Sequence, residues 1–231
     1  MIDFHSHILP GIDDGATDLQ QSDNMIKALI AQGVEHIIAT PHYIRHTCGL
    51  NEYLDMREKA YNGLLELDSA KQCKISLGSE VYIERDLASQ EGIEALAISG
   101  TNKILMEFPY SSFEKWAINE IYNLCYSHKL VPILAHVERY LGYYSSSDVD
   151  EILEMDDAIF QVNAISLCEK SRLKFILELI EGGYPVVLGS DAHNMISRIG
   201  DFKKGIEVLK SKLSKRDFEA FIDFNKNVLE K

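Results

Sequence analysis

Short apolar, β-branched runs alternate with longer amphipathic stretches from one end of this chain to the other. The short runs predict strands over IDF (2–4), VEHIIAT (34–40), KISLGSE (74–80), KILME (103–107), VPILAH (131–136), IFQVN (159–163) and YPVVLGS (184–190). Between them, LQQSDNMIKALIAQG, EYLDMREKAYNGLLELDSA, FEKWAINEIYNLCYSHK and EKSRLKFILELIEGG repeat their apolar residues at helical spacing. Gly33 and the pair Gly182-Gly183 supply helix stops. Strict alternation of strand and helix implies a parallel sheet with crossover helices, and seven such units imply a closed or nearly closed α/β barrel. The stretch 200–231 reads as one or two helices packed on the outside.

Composition narrows this picture. With 231 residues, 46% of them hydrophobic, the chain can build one substantial core, and a single domain over 1–231 is expected. Repeats, linkers and low-complexity tracts are absent from the sequence. No apolar stretch approaches the roughly 20 residues that span a bilayer, and no basic start leads into an apolar run, so a cytoplasmic protein without membrane insertion is expected. Cys48, Cys73, Cys125 and Cys168 are widely spaced and read as reduced structural residues. A net charge of −13 argues against a nucleic-acid groove, which needs clustered Lys and Arg. The basic run KKGIEVLKSKLSKR near the end reads as a solvated helix face.

Chemistry gathers where the predicted strands end. The first strand ends in His5 and His7, two residues apart and so on one face. TPH places His42 past the second strand, GSE gives Glu80, LMEF gives Glu107, LAH gives His136, and SDAHN gives Asp191 and His193. Asp14 sits in the loop after the first strand. Any one histidine here could be an ordinary hydrogen-bonded residue, but buried glutamates at strand ends are costly unless neutralised. Six of seven strands deliver His, Asp or Glu to the same end, which points to metal binding. Nitrogen and oxygen donors without sulfur suit manganese, iron or zinc, and nine donors suit two or three ions. Such clusters activate water and clamp phosphoryl oxygens.

Arg139 and Arg198 fall just beyond ligand-bearing strand ends, where a guanidinium can fork onto a phosphate; the alternative is an ordinary ion pair. Tyr43, Phe108, Tyr110, Phe113, Trp116, Tyr140, Tyr143 and Tyr144 crowd the same rim, either for an aryl phosphate, for rim packing or for an oligomer contact. A cysteine-dependent phosphatase needs C-x5-R, and the sixth residues after the cysteines are Leu54, Ser79, Val131 and Lys174, which excludes that mechanism.

FHSHILPGIDDG, TPH, GSE, EFP, AHVERY, FQVN and SDAHN together resemble the motifs of the PHP (polymerase and histidinol phosphatase) superfamily, and within it the bacterial manganese-dependent protein-tyrosine phosphatases of capsule and exopolysaccharide operons. The resemblance runs from Met1 to about Arg198. It implies a distorted (β/α)7 barrel of the PHP type and a trinuclear centre of His5, His7, Asp14, His42, Glu80, Glu107, His136, Asp191 and His193, with Mn2+ as the metal. Arg139 and Arg198 become the phosphate-binding arginines, and a phosphotyrosine protein, a tyrosine autokinase of polysaccharide export, becomes the partner. Two positions depart from the pattern: Ile165-Ser166 stands where Gly-Ser is common, and Gly200 where proline is common.

The chemistry expected is in-line attack on phosphorus by a hydroxide held between metal ions. A phenolic leaving group with a pKa near 10 departs with little help, and His46 is the candidate if a general acid is needed. Competing readings are a histidinol-phosphate or other small-metabolite phosphatase, a hydrolase of C–N bonds, and a non-catalytic phosphotyrosine-binding partner of a kinase.

Overall fold

The computed structural model describes residues 1–230. Its strands are β1 (Ile2–Ser6), β2 (His36–Ala39), β3 (His42–Tyr43), β4 (Lys74–Leu77), β5 (Glu80–Tyr82), β6 (Lys103–Glu107), β7 (Val131–Leu134), β8 (Ile159–Asn163) and β9 (Val186–Gly189). The helices are α1 (Leu19–Ala31), α2 (Leu50–Leu65), α3 (Trp116–His128), α4 (Ser146–Leu153), α5 (Lys170–Glu181), α6 (Phe202–Lys212) and α7 (Lys215–Asn227). All strand pairs are parallel, in the orders β1-β2-β4 and β3-β5-β6-β7-β8-β9.

The strand predicted over 74–80 is interrupted at Gly78-Ser79, and the one predicted over 34–40 resumes beyond Thr40-Pro41 as β3, yet the register carries through both gaps. His36 faces Lys74, Ala39 faces Leu77, and beyond the gaps His42 faces Glu80. β2 with β3, and β4 with β5, therefore act as single staves of a seven-position barrel. The last position meets the first through Asp191 N donating to His5 O at 2.7 Å and His7 N donating to Ala192 O at 2.9 Å. Below, Ile98 and Ser99 bridge the gap between β4 and β6 by donating to Lys103 O and Leu77 O. The fold is a distorted (β/α)7 barrel.

Alternation along the strands separates two apolar clusters. Phe4, Ile38, Leu105, Ile133, Ile159 and Val187 fill the barrel, closed at the bottom by Val228. Their sequence neighbours Ile37, Ile104, Leu134, Phe160, Val186 and Leu188 face the helices. Each fully buried side chain of this size contributes about 1.5–3 kcal/mol. Packing inside stops one layer below the strand ends, where polar residues take over.

Helix boundaries follow local chemistry. Asp18 caps α1 by accepting from Gln21 N, and α1 stops before Gly33, whose φ is +85°. Ser145 and Asp148 form a capping box for α4, a helix of eight residues too short for its periodicity to stand out in the sequence. Strict alternation fails once: between β5 and β6 the described chain forms two short 3-10 turns, Leu87–Ser89 and Ile93–Leu96. Asp86, Gly92 and Gly100 all adopt positive φ there, which breaks any longer helix. The C-terminal segment supplies α6 and α7, and Asn225 on α7 ties the barrel by accepting from Leu188 N and donating to Val186 O. No helix among the described residues is long and apolar enough to cross a membrane.

Candidate metal centre

All nine histidine and carboxylate residues singled out in the sequence converge at the C-terminal mouth of the barrel. Glu80 stands at the centre, buried. Its Oε2 lies 2.9 Å from His5 Nε2, 3.2 Å from His7 Nε2 and 3.1 Å from His42 Nδ1, and its Oε1 lies 2.9 Å from His136 Nε2. Glu107 Oε1 is 3.4 Å from His136 Nε2 and its Oε2 is 4.0 Å from His42 Nδ1. On the other side, Asp14 Oδ1 is 3.3 Å from His193 Nε2 and 3.6 Å from His42 Nε2. Asp191 Oδ1 lies 3.6 Å from His7 Nε2 and 3.7 Å from His5 Nε2.

Hydrogen bonds behind the rings decide which nitrogen faces inward. Gln161 Oε1 accepts from His136 N at 2.8 Å, which fixes the amide, so His5 Nδ1 at 2.9 Å must be a donor to the same oxygen. His7 Nδ1 donates to Asp13 Oδ2 at 2.7 Å, and His193 Nδ1 donates to the carbonyl of Asp191 at 3.0 Å. Each of these rings then turns its Nε2 to the centre. His5 Nε2 and His7 Nε2 are 3.0 Å apart, a repulsive pair unless a proton or cation sits between them. His193 Nε2 and His42 Nδ1 are buried and make no hydrogen bond among the described residues.

Nitrogen and carboxylate donors arranged this way fit a divalent cation. Three groups bring donor atoms within 4.8 Å of one another: His7, Asp14, His42 and His193; His5, His7 and Glu80; His42, Glu80 and Glu107. Because His7, His42 and Glu80 are each shared between groups, the cluster suits adjacent ions with common ligands. His136 and Asp191 flank these groups without belonging to one.

The protonation balance points the same way. Burial disfavours an imidazolium at His7, but Asp13 and Glu80 outweigh it and hold its pKa up to about 10. His136 is likewise disfavoured by burial and raised to about 9 by Glu107 and Glu80. Burial and the neighbouring His7 push His193 down to about 3. Glu80 and Asp191 are held well below the carboxylate range despite burial, Glu80 by the surrounding imidazoles and Asp191 by His5 and Arg139. This is a site built to gather positive charge around two ionised carboxylates.

Two of the nine residues sit in strained backbone. His136 has φ +35° and Asp191 φ +51°, the left-handed region that non-glycine residues avoid. Both follow a strand end and turn their side chains over the mouth.

Arg139 leaves the 3-10 turn after His136, and Arg198 the loop after His193. Arg139 Nη2 donates to Asp191 Oδ2; Arg198 Nη2 donates to Asp191 Oδ1 at 2.8 Å, and Arg198 Nη1 reaches Asp14 Oδ2 at 3.5 Å. Both guanidinium groups thus make ion pairs, and both also line a cavity of about 480 Å3 above Glu80, with Tyr82, Tyr110 and Tyr143. Among the rim aromatics, Tyr110 and Tyr143 face this cavity, 4.8 Å apart, and Tyr110 Oη lies 3.2 Å from His136 Nδ1. Tyr43, Phe108 and Tyr140 are buried, Tyr144 stacks on Tyr140, and Trp116 packs under Arg85. His46 lies outside the cavity lining, exposed and bonded through Nδ1 to Glu84 at 2.5 Å.

Sequence reasoning passed over the residues that orient the donors, Asp13, Gln161 and Asn163, and two that line the cavity, Tyr82 and Arg172. Gln161 Nε2 donates to Asn163 Oδ1, and Asn163 Nδ2 donates to Asp191 Oδ2, both at 2.9 Å, so one strand, β8, links His5, His136 and Asp191. The signal was present in IFQVN, where two amides alternate with buried apolar residues.

A parallel barrel whose mouth collects imidazoles and carboxylates around one glutamate, with arginines beside them, is the architecture of a metal-dependent hydrolase. Residues 1–230 match the model of the family described as capsular polysaccharide synthesis, CpsB/CapC, and the chain belongs to that family. It is similar to the tyrosine-protein phosphatase YwqE of Bacillus subtilis, at 32% identity over 220 residues covering 91% of this chain and 84% of the relative. It is also similar to the tyrosine-protein phosphatase CpsB of Streptococcus pneumoniae, at 25% identity covering 99% of this chain and 98% of the relative. One solved chain, from the crystal structures of YwqE from Bacillus subtilis and CpsB from Streptococcus pneumoniae, unique metal-dependent tyrosine phosphatases, is similar to this chain with a TM-score of 0.82 at 27% identity, over 100% of this chain and 94% of the other.

Proposed function

We propose that this chain, as one PHP-type domain, is a metal-dependent protein-tyrosine phosphatase. His5, His7, Asp14, His42, Glu80, Glu107, His136, Asp191 and His193 would hold two or three ions, manganese first among them, and Arg139 and Arg198 would bind phosphate. The observation that carries the reading is the inward-turned Nε2 pair of His5 and His7 at 3.0 Å over Glu80, beside two arginines that line one cavity. Bound divalent cations supply Lewis acidity toward phosphoryl oxygens and bring the pKa of coordinated water toward neutrality.

The chain's own residues do the rest. Arg139 and Arg198 direct N–H groups at the phosphoryl oxygens and offset charge on them as the P–O bond lengthens. Asp191, which accepts from both, sets the angle at which their remaining donors enter the cavity. Tyr110 and Tyr143 offer ring faces to an aryl leaving group. Burial raises the Tyr110 pKa, so its hydroxyl stays neutral beside Arg139 Nη1 at 3.4 Å. A departing tyrosine phenolate, with a pKa near 10, needs no dedicated acid, in keeping with the placement of His46 away from the cavity. The physiological substrate in this reading is a cytoplasmic tyrosine autokinase of polysaccharide export.

The test is to strip the protein with chelator, restore manganese, and compare a phosphotyrosine peptide with histidinol phosphate. Metal-dependent preference for the peptide is expected. Preference for histidinol phosphate would move the same site to small-metabolite chemistry, and no turnover of either would leave a binding module.

A further inference from the structure

Arg139 and Arg198 are enough to match the charge of one phosphate monoester, about −1.5 to −2. A third guanidinium lines the same cavity: Arg172, in the first turn of α5. Its surroundings differ from those of the other two. Arg172 is one-third exposed and, among the described residues, makes no ion pair with Asp191; its Nη1 donates to Glu169 Oε1 at 3.1 Å and to Ser166 Oγ at 3.5 Å. Ser166 in turn donates to Glu138 Oε1 at 2.7 Å, and Glu138 immediately precedes Arg139. Arg139 and Arg172 are therefore linked through the buried Glu138–Ser166 pair and line one cavity.

Neither fold stability nor pairing accounts for Arg172. Its bond to Glu169 is a half-exposed i,i+3 surface pair, a class worth little. Arg57 shows what a structural arginine looks like here: buried, with Nη1 on Gly78 O and Ser79 Oγ and Nη2 on Ala95 O. At the start of α5 the N-cap Glu169 already supplies the negative charge that the helix dipole favours, whereas Lys170 and Arg172 in the first turn carry the opposite sign. A cation placed there, lining one cavity with Arg139 and Arg198, suits an anion brought by the substrate.

We infer that Arg172 is a specificity-determining residue that receives a carboxylate side chain flanking the phosphotyrosine. The inference rests on the phosphatase reading above. It adds an acidic neighbour to the substrate which that reading names. The recognising chemistry is a guanidinium fork on two oxygens.

The experiment uses the manganese-loaded full chain and three phosphotyrosine peptides with neutral, glutamate or lysine neighbours. In the wild type, kcat/KM for the glutamate-flanked peptide should exceed that for the neutral one by about tenfold, carried mainly by KM. Arg172→Gln should bring this ratio to about one, and Arg172→Glu should invert it toward the lysine-flanked peptide. A wild-type ratio of about one overturns the inference at once. A ratio that survives Arg172→Gln, or a fall of all peptides together with the ratio unchanged, overturns it. If no peptide is hydrolysed, the phosphatase reading fails first; the same ratios, measured as affinities by fluorescence anisotropy, still decide the role of Arg172.

Discussion

Gly189 on β9 lies so close to His5 that a Cβ at position 189 would sit 2.6 Å from His5 Cβ and 2.6 Å from Gln161 Nε2. The glycine keeps an ordinary negative φ, so space alone demands it. Gly189→Ala must push His5 and its Gln161 partner together or apart. Metal affinity should fall about 10- to 100-fold, as for loss of an outer-shell partner, with about 1–3 kcal/mol lost from overpacking. Isothermal titration of chelated protein with manganese checks the first figure, and urea unfolding the second. Unchanged metal affinity would mean that His5 does not depend on this packing.

Asp13, in the loop after β1, is the companion case. It accepts from His7 Nδ1, from His42 N at 2.9 Å and from Gly15 N at 2.9 Å, so one carboxylate sets two neighbouring donors. Asp13→Asn should weaken metal binding by about 10- to 100-fold while leaving the fold intact. Bound metal, counted by elemental analysis after dialysis, reads this directly, with circular dichroism as the control for folding.

Arg139→Ala should lower turnover of a phosphotyrosine peptide about 10²- to 10³-fold with metal content retained, the range for removing one preorganised charge donor. Arg139→Lys should rescue little, because a point charge cannot serve Asp191 and two phosphoryl oxygens in one plane. Full turnover in the alanine protein would reduce Arg139 to an ion-pair partner of Asp191.

His36 predicts a pH effect away from the metal centre. Burial, then Lys74 and the N-terminus, push its pKa down to about 4, and its Nε2 bonds Ser76 Oγ at 2.8 Å. The folded state keeps this ring neutral where the unfolded chain, with a pKa near 6.5, takes up a proton. The contribution is therefore complete above about pH 6.5 and is lost as pH falls from there to about 4, at most about 3 kcal/mol in all. Urea unfolding at pH 7.5 and pH 5 should show a smaller drop for His36→Gln than for the wild type. Equal drops would assign the acid sensitivity to other groups.

The sequence carried the barrel because a half-buried strand and an amphipathic helix have different periods, and both are visible in one dimension. It carried the clustering of polar side chains as well: His5 and His7 must share a face in any strand, and Glu80 and Glu107 end runs too apolar for an unpaired carboxylate. It missed the break in alternation between β5 and β6, where three positive-φ residues override an apolar pattern. It also placed His46 near the chemistry by loop membership, whereas Glu84 holds it aside.

What the sequence determined by itself is therefore which imidazoles and carboxylates gather at one end of the barrel, since strand spacing and side-chain alternation put them there. Tertiary structure alone decided that Glu80 is the hub, that Gln161, Asp13 and the Asp191 carbonyl choose which nitrogen of each ring faces inward, and that Arg139 and Arg198 converge on Asp191. Those facts depend on distances between strands remote in the chain, such as the 156 residues separating His5 from Gln161. Local pattern holds no information about such distances; they arise only when the barrel closes and its interior layers must pack without overlap.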